Sequence, residues 1–198
     1  MNDNEKKDRA LAYINKKYGE NFEIVSFFAR NIDMPYDELI VSNSQKQKCK
    51  VYIEENDLGI EIIKDEYYGI IKSDEYKQMI REVLDQFLPE YKYFSDFSAN
   101  YFDDIYDRDY ELKDALMNEE MQFYSKNYIF ISSEIASQIN ESVYSDITFS
   151  LKMCNLKLYI AFYIVSNEEY IGIDEKKDVN LFLPNDYRVY PVFKKIIM

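Results

Sequence analysis

The densest set of chemically capable side chains is Asp103-Asp104-Ile105-Tyr106-Asp107-Arg108-Asp109-Tyr110-Glu111. Asp107, Asp109 and Glu111 alternate as at the start of a calcium loop, where carboxylate oxygens ring a hard cation. The pattern breaks at Leu112, where such a loop needs glycine, and at Asn118, where it needs a bidentate glutamate. The same residues suit a solvated acidic loop running into a helix N-terminus, where negative charge meets the positive end of the helix dipole.

Other chemistries are narrowed by what the chain lacks. It contains no histidine, so Ser-His-Asp and Cys-His nucleophilic sites are excluded, as is histidine-based pH sensing. A zinc site would need cysteines and carboxylates alone, and Cys49 and Cys154 follow no metal or redox spacing. Each lies in a strand-like apolar stretch and is expected as a buried free thiol; a disulfide between them would close a loop of ~100 residues and need an oxidising compartment. No Gly-x-Gly pair is present to cradle a phosphate. A glycosidase-type pair of facing carboxylates has 37 acidic residues to choose from and no motif to select two. No catalytic, metal or cofactor site is therefore expected.

Tyrosine and phenylalanine number 20 and 13, without tryptophan, and they crowd one stretch: Tyr91, Tyr93, Phe94, Phe97, Tyr101, Phe102, Tyr106 and Tyr110. Tyrosine offers large contact area at small entropic cost, which suits an interaction surface. It also fills cores and sheets, above all where tryptophan is absent. Both readings stand. On the first, the expected partner surface is Tyr93, Phe97, Tyr101, Asp103, Asp104, Tyr106, Asp107, Asp109, Tyr110 and Glu111.

Asp and Glu total 37 against 24 Lys and Arg, a net charge of −13. That field repels phosphate backbones and disfavours nucleic acid. It attracts basic proteins, cationic peptides and metal ions, or serves solubility alone. No apolar run approaches the ~20 residues that span a bilayer. The polar start, Met1-Asn2-Asp3-Asn4-Glu5-Lys6-Lys7-Asp8, is no signal peptide. A cytoplasmic home and an extracytoplasmic one, reached by a leader removed ahead of Met1, are both open.

Around these groups the periodicities predict an α+β chain of antiparallel sheet with packed amphipathic helices. Residues 4–18 read as a helix ended by Lys16, Lys17 and Gly19. Strands follow at Phe22–Arg30, Glu38–Ser42, Lys48–Glu55 and Ile60–Lys64, the last two joined by the hairpin signal Asn56-Asp57-Leu58-Gly59. Ser73 is the expected N-cap of a helix whose stripe runs Tyr76, Met79, Ile80, Val83, Leu84, Phe87 and Leu88. Beyond Pro89 come an extended segment at Tyr91–Phe102, a helix at Asp109–Gln122, a short strand at Tyr128–Ile131 and a helix capped by Ser133. A hairpin of Ser145–Cys154 with Leu156–Ser166 turning at Asn155, strands at Tyr170–Ile173 and Val179–Leu183, and an apolar tail follow. Two units are expected, 1–88 and 89–198, the second either separate or the same domain continued.

Three segments, Ala10–Val25 (ALAYINKKYGENFEIV), Lys50-Val51-Tyr52-Ile53 and Ile63–Ile70 (IKDEYYGI), give about 80 residues a family likeness. They resemble a set of uncharacterised proteins of low-GC Gram-positive bacteria, many of them lipoproteins or secreted. The resemblance implies a cystatin-like first half, a helix packed across a curved antiparallel sheet, and an extracytoplasmic location. It brings no activity and no functional residues. The expected function is a non-catalytic extracytoplasmic binding module for a protein or peptide, basic in character, with a lipid anchor through a leader as one mode of display. The alternatives are a cytoplasmic acidic immunity-type inhibitor of a basic toxin, or a histidine-independent carboxylate hydrolase.

Overall fold

The computed structural model describes residues 2–56, 58–118, 125–154, 156, 158–181 and the backbone of 194–197. The chain is α+β and divides into two compact units, Met1–Ser73 with Ser98–Glu111, and Asp74–Phe97 with Leu112–Met198. The boundary expected at residue 88 thus lies at Ser73, and residues 98–111 return to the first unit. The chain passes between the units in the middle of a helix and again on either side of that returning segment.

The first unit opens with helix α1, Asp3–Tyr18. Its start is fixed by a capping box: the Asn2 side chain accepts from Asn4 and Glu5 N–H, and the Glu5 carboxylate accepts from Asn2 N–H. Gly19, at φ 63°, ends it in the left-handed conformation and donates to Asn15 O. Ala10, Ile14 and Tyr18 form the buried stripe. Strands β1 (Phe22–Phe28), β2 (Asp37–Asn43), β3 (Lys48–Glu55) and β4 (Glu61–Asp65) follow as an antiparallel meander in chain order.

Helix α1 packs against all four strands. Leu39, Val41, Cys49, Val51 and Ile53 are buried, in the registers Leu39↔Val51 and Val41↔Cys49. Each such side chain contributes roughly 1.5–3 kcal/mol by leaving water. β1 is an edge strand, and a bulge between Ile24 and Ser26 interrupts its ladder, a known guard against edge-to-edge pairing. At the β3–β4 turn Gly59 takes φ 72° and Asn56 Oδ1 accepts from Leu58 and Ile60 N–H, as the hairpin signal predicts.

Helix α2 runs Tyr67–Leu84. Ser73 therefore lies inside it rather than capping it. The start is set instead by Asp65, whose Oδ1 takes the Tyr67 N–H, and by the buried rings of Tyr67 and Tyr68. Tyr67 meets Tyr18 and Phe22 edge-on and shares hydrogen bonds with Asn43 and Glu20.

In the second unit, β5 (Lys92–Ser95), β6 (Ser125–Ser132), β7 (Leu158–Val165) and β8 (Lys194–Ile197) form a sheet in that order. β5–β6 and β7–β8 are antiparallel, whereas β6–β7 is parallel. A parallel neighbour needs a crossover, and the chain supplies it with α4 (Ser133–Ala136) and α5 (Ser142–Met153); α3 (Leu112–Met117) precedes β6. The hairpin expected over 145–166 is thus a helix followed by a strand. Tyr144, Ile147, Thr148 and Leu151 bury one helical face of α5, while Phe149 and Met153 point outward.

The strand expected at Tyr170–Ile173 is helix α6, Asn167–Gly172, opened by a Ser166–Glu169 capping box. Val179–Leu181 is a 3-10 turn rather than a strand, and Phe182 and Leu183 lie outside the described residues. The helix expected at 109–122 is the shorter α3, and residues 119–122 also lie outside. Phe94, Phe130, Val165, Tyr170 and Ile173 form a buried cluster on one side of the sheet. Tyr144 meets Phe162 edge-on, so apolar side chains of β7 are covered by α5 as well. A parallel pair covered on both faces reads as a nearly unbroken apolar run, as Leu158–Val165 does.

Candidate binding surface

The first unit buries a lysine–aspartate pair at the point where residues 98–111 cross it. Lys17 Nζ lies 2.7 Å from Asp65 Oδ2, with the two side chains 3% and 0% exposed. Lys17 also donates to Tyr13 OH at 3.2 Å, to Phe102 O at 3.3 Å and to Asp103 O at 2.6 Å. Asp65 Oδ1 accepts from Tyr18 OH at 2.8 Å as well as from Tyr67 N–H. The carboxylate and ammonium are thus wrapped in hydrogen bonds, which a buried ion pair requires.

Burial lowers the Lys17 pKa from the ordinary lysine value, opposed by the charge of Asp65. Burial, with the Asp65 charge behind it, pushes the phenols of Tyr13 and Tyr18 far up. The Cys49 thiol is raised for the same reasons and is inert as a nucleophile. Perturbed lysines mark functional sites as a class. This one is buried, its ammonium tied to Asp65, Tyr13 and the carbonyls of Phe102 and Asp103.

From that pair the chain bends outward. Asp65 and Phe102 form an isolated antiparallel bridge, through Asp65 N–H to Phe102 O and Phe102 N–H to Asp65 O. Tyr18 OH donates to Tyr106 O, and Tyr68 OH donates to Tyr110 O. Phe102, Tyr106, Tyr110 and Tyr68 make a chain of tilted and edge-on ring contacts. Arg108 pairs with Glu20.

Of the residues expected to form one partner surface, Tyr101, Asp103, Asp104, Asp109 and Glu111 are exposed, and Asp107 and Tyr110 are half-buried. Asp107 Oδ1 is engaged by Asp109 and Tyr110 N–H, a turn of the chain on itself. Tyr101 tilts against Tyr52, with ring centroids 4.1 Å apart, and Tyr36 meets Tyr52 edge-on. Glu66 accepts from Tyr52 OH and Lys50 N–H beside them, and burial raises its pKa.

Three of the expected residues do not belong to the surface. Tyr106 is 3% exposed and serves as an anchor of the segment. Tyr93 and Phe97 are buried in the second unit, where Phe97 stacks on Tyr76. Tyr93 OH donates to Asn127 Oδ1 at 2.6 Å, and Asn127 Nδ2 donates to Tyr76 OH and to the carbonyls of Ser125 and Tyr159. With no tryptophan in the chain, core filling fell to these rings.

Sequence reasoning missed Lys17, Asp65, Tyr13 and Tyr18. The signal was present in part: Tyr13 and Lys17 flank the Ile14–Tyr18 stripe at helical spacing, which sets them at the edge of the buried face. Among the described residues no group of three or more Cys, Asp or Glu is placed to hold a metal ion. Cys49 and Cys154 are both free, but Cys154 is exposed at the end of α5 rather than buried in a strand. Among the described residues no helix is long and apolar enough to cross a membrane. No protein-family model matches the chain, and neither a curated protein nor a solved structure shows significant similarity to it.

Proposed function

We propose that the chain is a non-catalytic binding module whose acidic segment 103–111 docks a basic protein or peptide. One observation carries the reading. The first unit grips this segment by its backbone carbonyls and two buried rings, so Asp103, Asp104, Asp109 and Glu111 keep their carboxylates outward in fixed positions. Between Asp103 and Glu111 there are five carboxylates and only Arg108 in opposition, a net of −4. Arg108 is turned toward Glu20. A preorganised cluster of one sign favours fast, salt-sensitive association. The half-exposed Tyr101 adds the aromatic contact area that interfaces favour. The family likeness of residues 10–70 would set such a module outside the membrane.

The test is titration calorimetry with a synthetic Lys/Arg-rich peptide at low and moderate salt. The comparison is a variant carrying Asp103→Asn, Asp104→Asn, Asp109→Asn and Glu111→Gln. The unmodified chain should bind with steeply salt-dependent affinity, and the variant at least roughly tenfold more weakly with its fold intact. Equal affinity would overturn the reading.

A second reading, an inhibitor of a basic toxin, draws on charge spread across both units. The first holds 19 acidic and 12 basic residues (−7), and the second 18 and 12 (−6). Such an inhibitor would keep most of its affinity when only residues 103–111 are neutralised.

A further inference from the structure

We propose that residues 98–111 form a strap that leaves the first unit as one cooperative piece, with the buried Lys17–Asp65 pair as its lock. The grip on the strap is unusual in kind. Lys17 donates to the carbonyls of Phe102 and Asp103, Tyr18 to that of Tyr106, and Tyr68 to that of Tyr110. Three side chains from two helices thus hold four carbonyls along the strap, and the Asp65–Phe102 bridge adds two backbone bonds. Its apolar anchorage is narrow, resting on two buried rings that meet Tyr68 and each other. Phe102 and Tyr106 are buried, whereas Tyr101 and Ile105 are 47% and 52% exposed. Segments with few buried apolar contacts and many polar ones open locally before a unit unfolds.

The charges favour the opening. The strap's net of −4 lies on a unit that is itself acidic, so repulsion works against closure. Among the described residues Lys17 is the one cation shown to reach both the strap backbone and the buried Asp65 carboxylate. A buried ion pair adds little net stability over an apolar substitute, yet losing one partner is severe; its attested use is to select one arrangement over others. Here that arrangement is the closed strap, and the inference holds whether or not the acidic segment binds a basic partner.

The experiment is native-state hydrogen exchange on the unmodified chain under increasing low denaturant, followed by Lys17→Met. In the unmodified chain the two amides of the strap bridge, Phe102 and Asp65, should share one opening, with weak denaturant dependence. That opening should populate at least roughly 100-fold more than the one exposing the Leu39, Val41 and Val51 amides. In Lys17→Met the strap amides should exchange at nearly unprotected rates while the β2–β3 amides stay protected. Strap amides of the unmodified chain that exchange only with the β2–β3 ladder, at the same denaturant slope, would overturn the proposal. So would loss of ladder and strap protection together in Lys17→Met.

Discussion

The two units each bury a polar knot, and they build it from opposite materials. The first uses a charged pair, Lys17 with Asp65, tied to Tyr13 and Tyr18. The second uses a neutral amide, Asn127, tied to Tyr93, Tyr76 and two backbone carbonyls. Both knots are fully hydrogen-bonded and both recruit two tyrosines. They differ in what remains when one member is removed. A stranded carboxylate or ammonium is far costlier than a stranded phenol. The charged knot is also the one that holds a returning segment of chain, whereas the neutral knot ties strands of its own sheet to helix α2. The molecule thus places its steepest energetic dependence where a chain segment must be held in place.

The largest expected effect breaks the charged knot. Asp65→Asn or Lys17→Met should destabilise the closed arrangement of residues 98–111 on the first unit by about 3–5 kcal/mol, with the β2–β3 ladder retained. The double substitution should cost less than the sum, because neither charge is then left alone. Denaturant unfolding followed by tyrosine fluorescence, in a chain without tryptophan, reads this directly. Additive single effects would show that the two groups do not act as a pair.

Asn127→Leu should cost less, about 1–3 kcal/mol, by taking an acceptor from Tyr93 OH and a donor from Tyr76 OH. Adding Tyr93→Phe to Asn127→Leu should recover part of that loss. If Asn127→Leu proved as damaging as Asp65→Asn, the contrast between the charged and neutral knots would fail.

That contrast could be read only in part from residue order. The four strands of the first unit were legible because period-2 alternation, the Asn56–Gly59 turn and Gly19 all agreed. Asp65 and Lys17 were not, because a buried charge looks like a solvated one until its partner, 48 residues away, is in place. In the second unit, Ile147, Phe149, Leu151 and Met153 alternate as a strand does, while Tyr144, Ile147, Thr148 and Leu151 fit a helix. The parallel pairing of β6 and β7 settles the competition by demanding a crossover, and pairing is non-local. The aromatic run misled for a similar reason. Tyrosine spacing cannot separate Tyr93, bonded to Asn127 in a core, from Tyr101, half open to water.

Alkali probes both knots together. Folding raises the phenol pKa values of Tyr13 and Tyr18 in the first unit and of Tyr93 in the second, while Tyr76 is pushed up to about 12. Burial is the leading cause in each. The folded chain then keeps protons that the unfolded chain releases from pH 10 upward. Stability is full below pH 10 and falls as pH rises beyond it. Lys17 runs the other way: its folded pKa is lowered, so stability rises as pH climbs toward the ordinary lysine value. In the first knot one rising contribution faces two falling ones, and in the second knot nothing comparable opposes the fall. Ultraviolet titration of tyrosinate should therefore show a late, cooperative step in which these phenols ionise on unfolding. Tyrosines that all titrate near pH 10 in a folded chain would contradict the burial of both knots.

The smallest expected effect concerns one half-buried carboxylate in each unit. Glu66 accepts from Lys50 N–H and Tyr52 OH, and Asp96 accepts from Lys126 N–H and Ser125 OH. Burial raises both pKa values, opposed by those same hydrogen bonds. A raised carboxylate contributes stability that is present below its unfolded value, near 4.5 for Glu66 and 3.8 for Asp96, and is lost as pH rises through the folded value. Both units should therefore gain slightly on mild acidification from neutrality. Glu66→Gln should flatten that gain in the first unit, and Asp96→Asn in the second, because neither amide titrates. The two slopes are independent readouts, one beside Tyr52 and Tyr101 and one beside Ser125. If Glu66→Gln left the slope of the first unit unchanged, the carboxylate beside the Tyr52–Tyr101 stack would be solvated, and that stack would be more open than its ring geometry indicates.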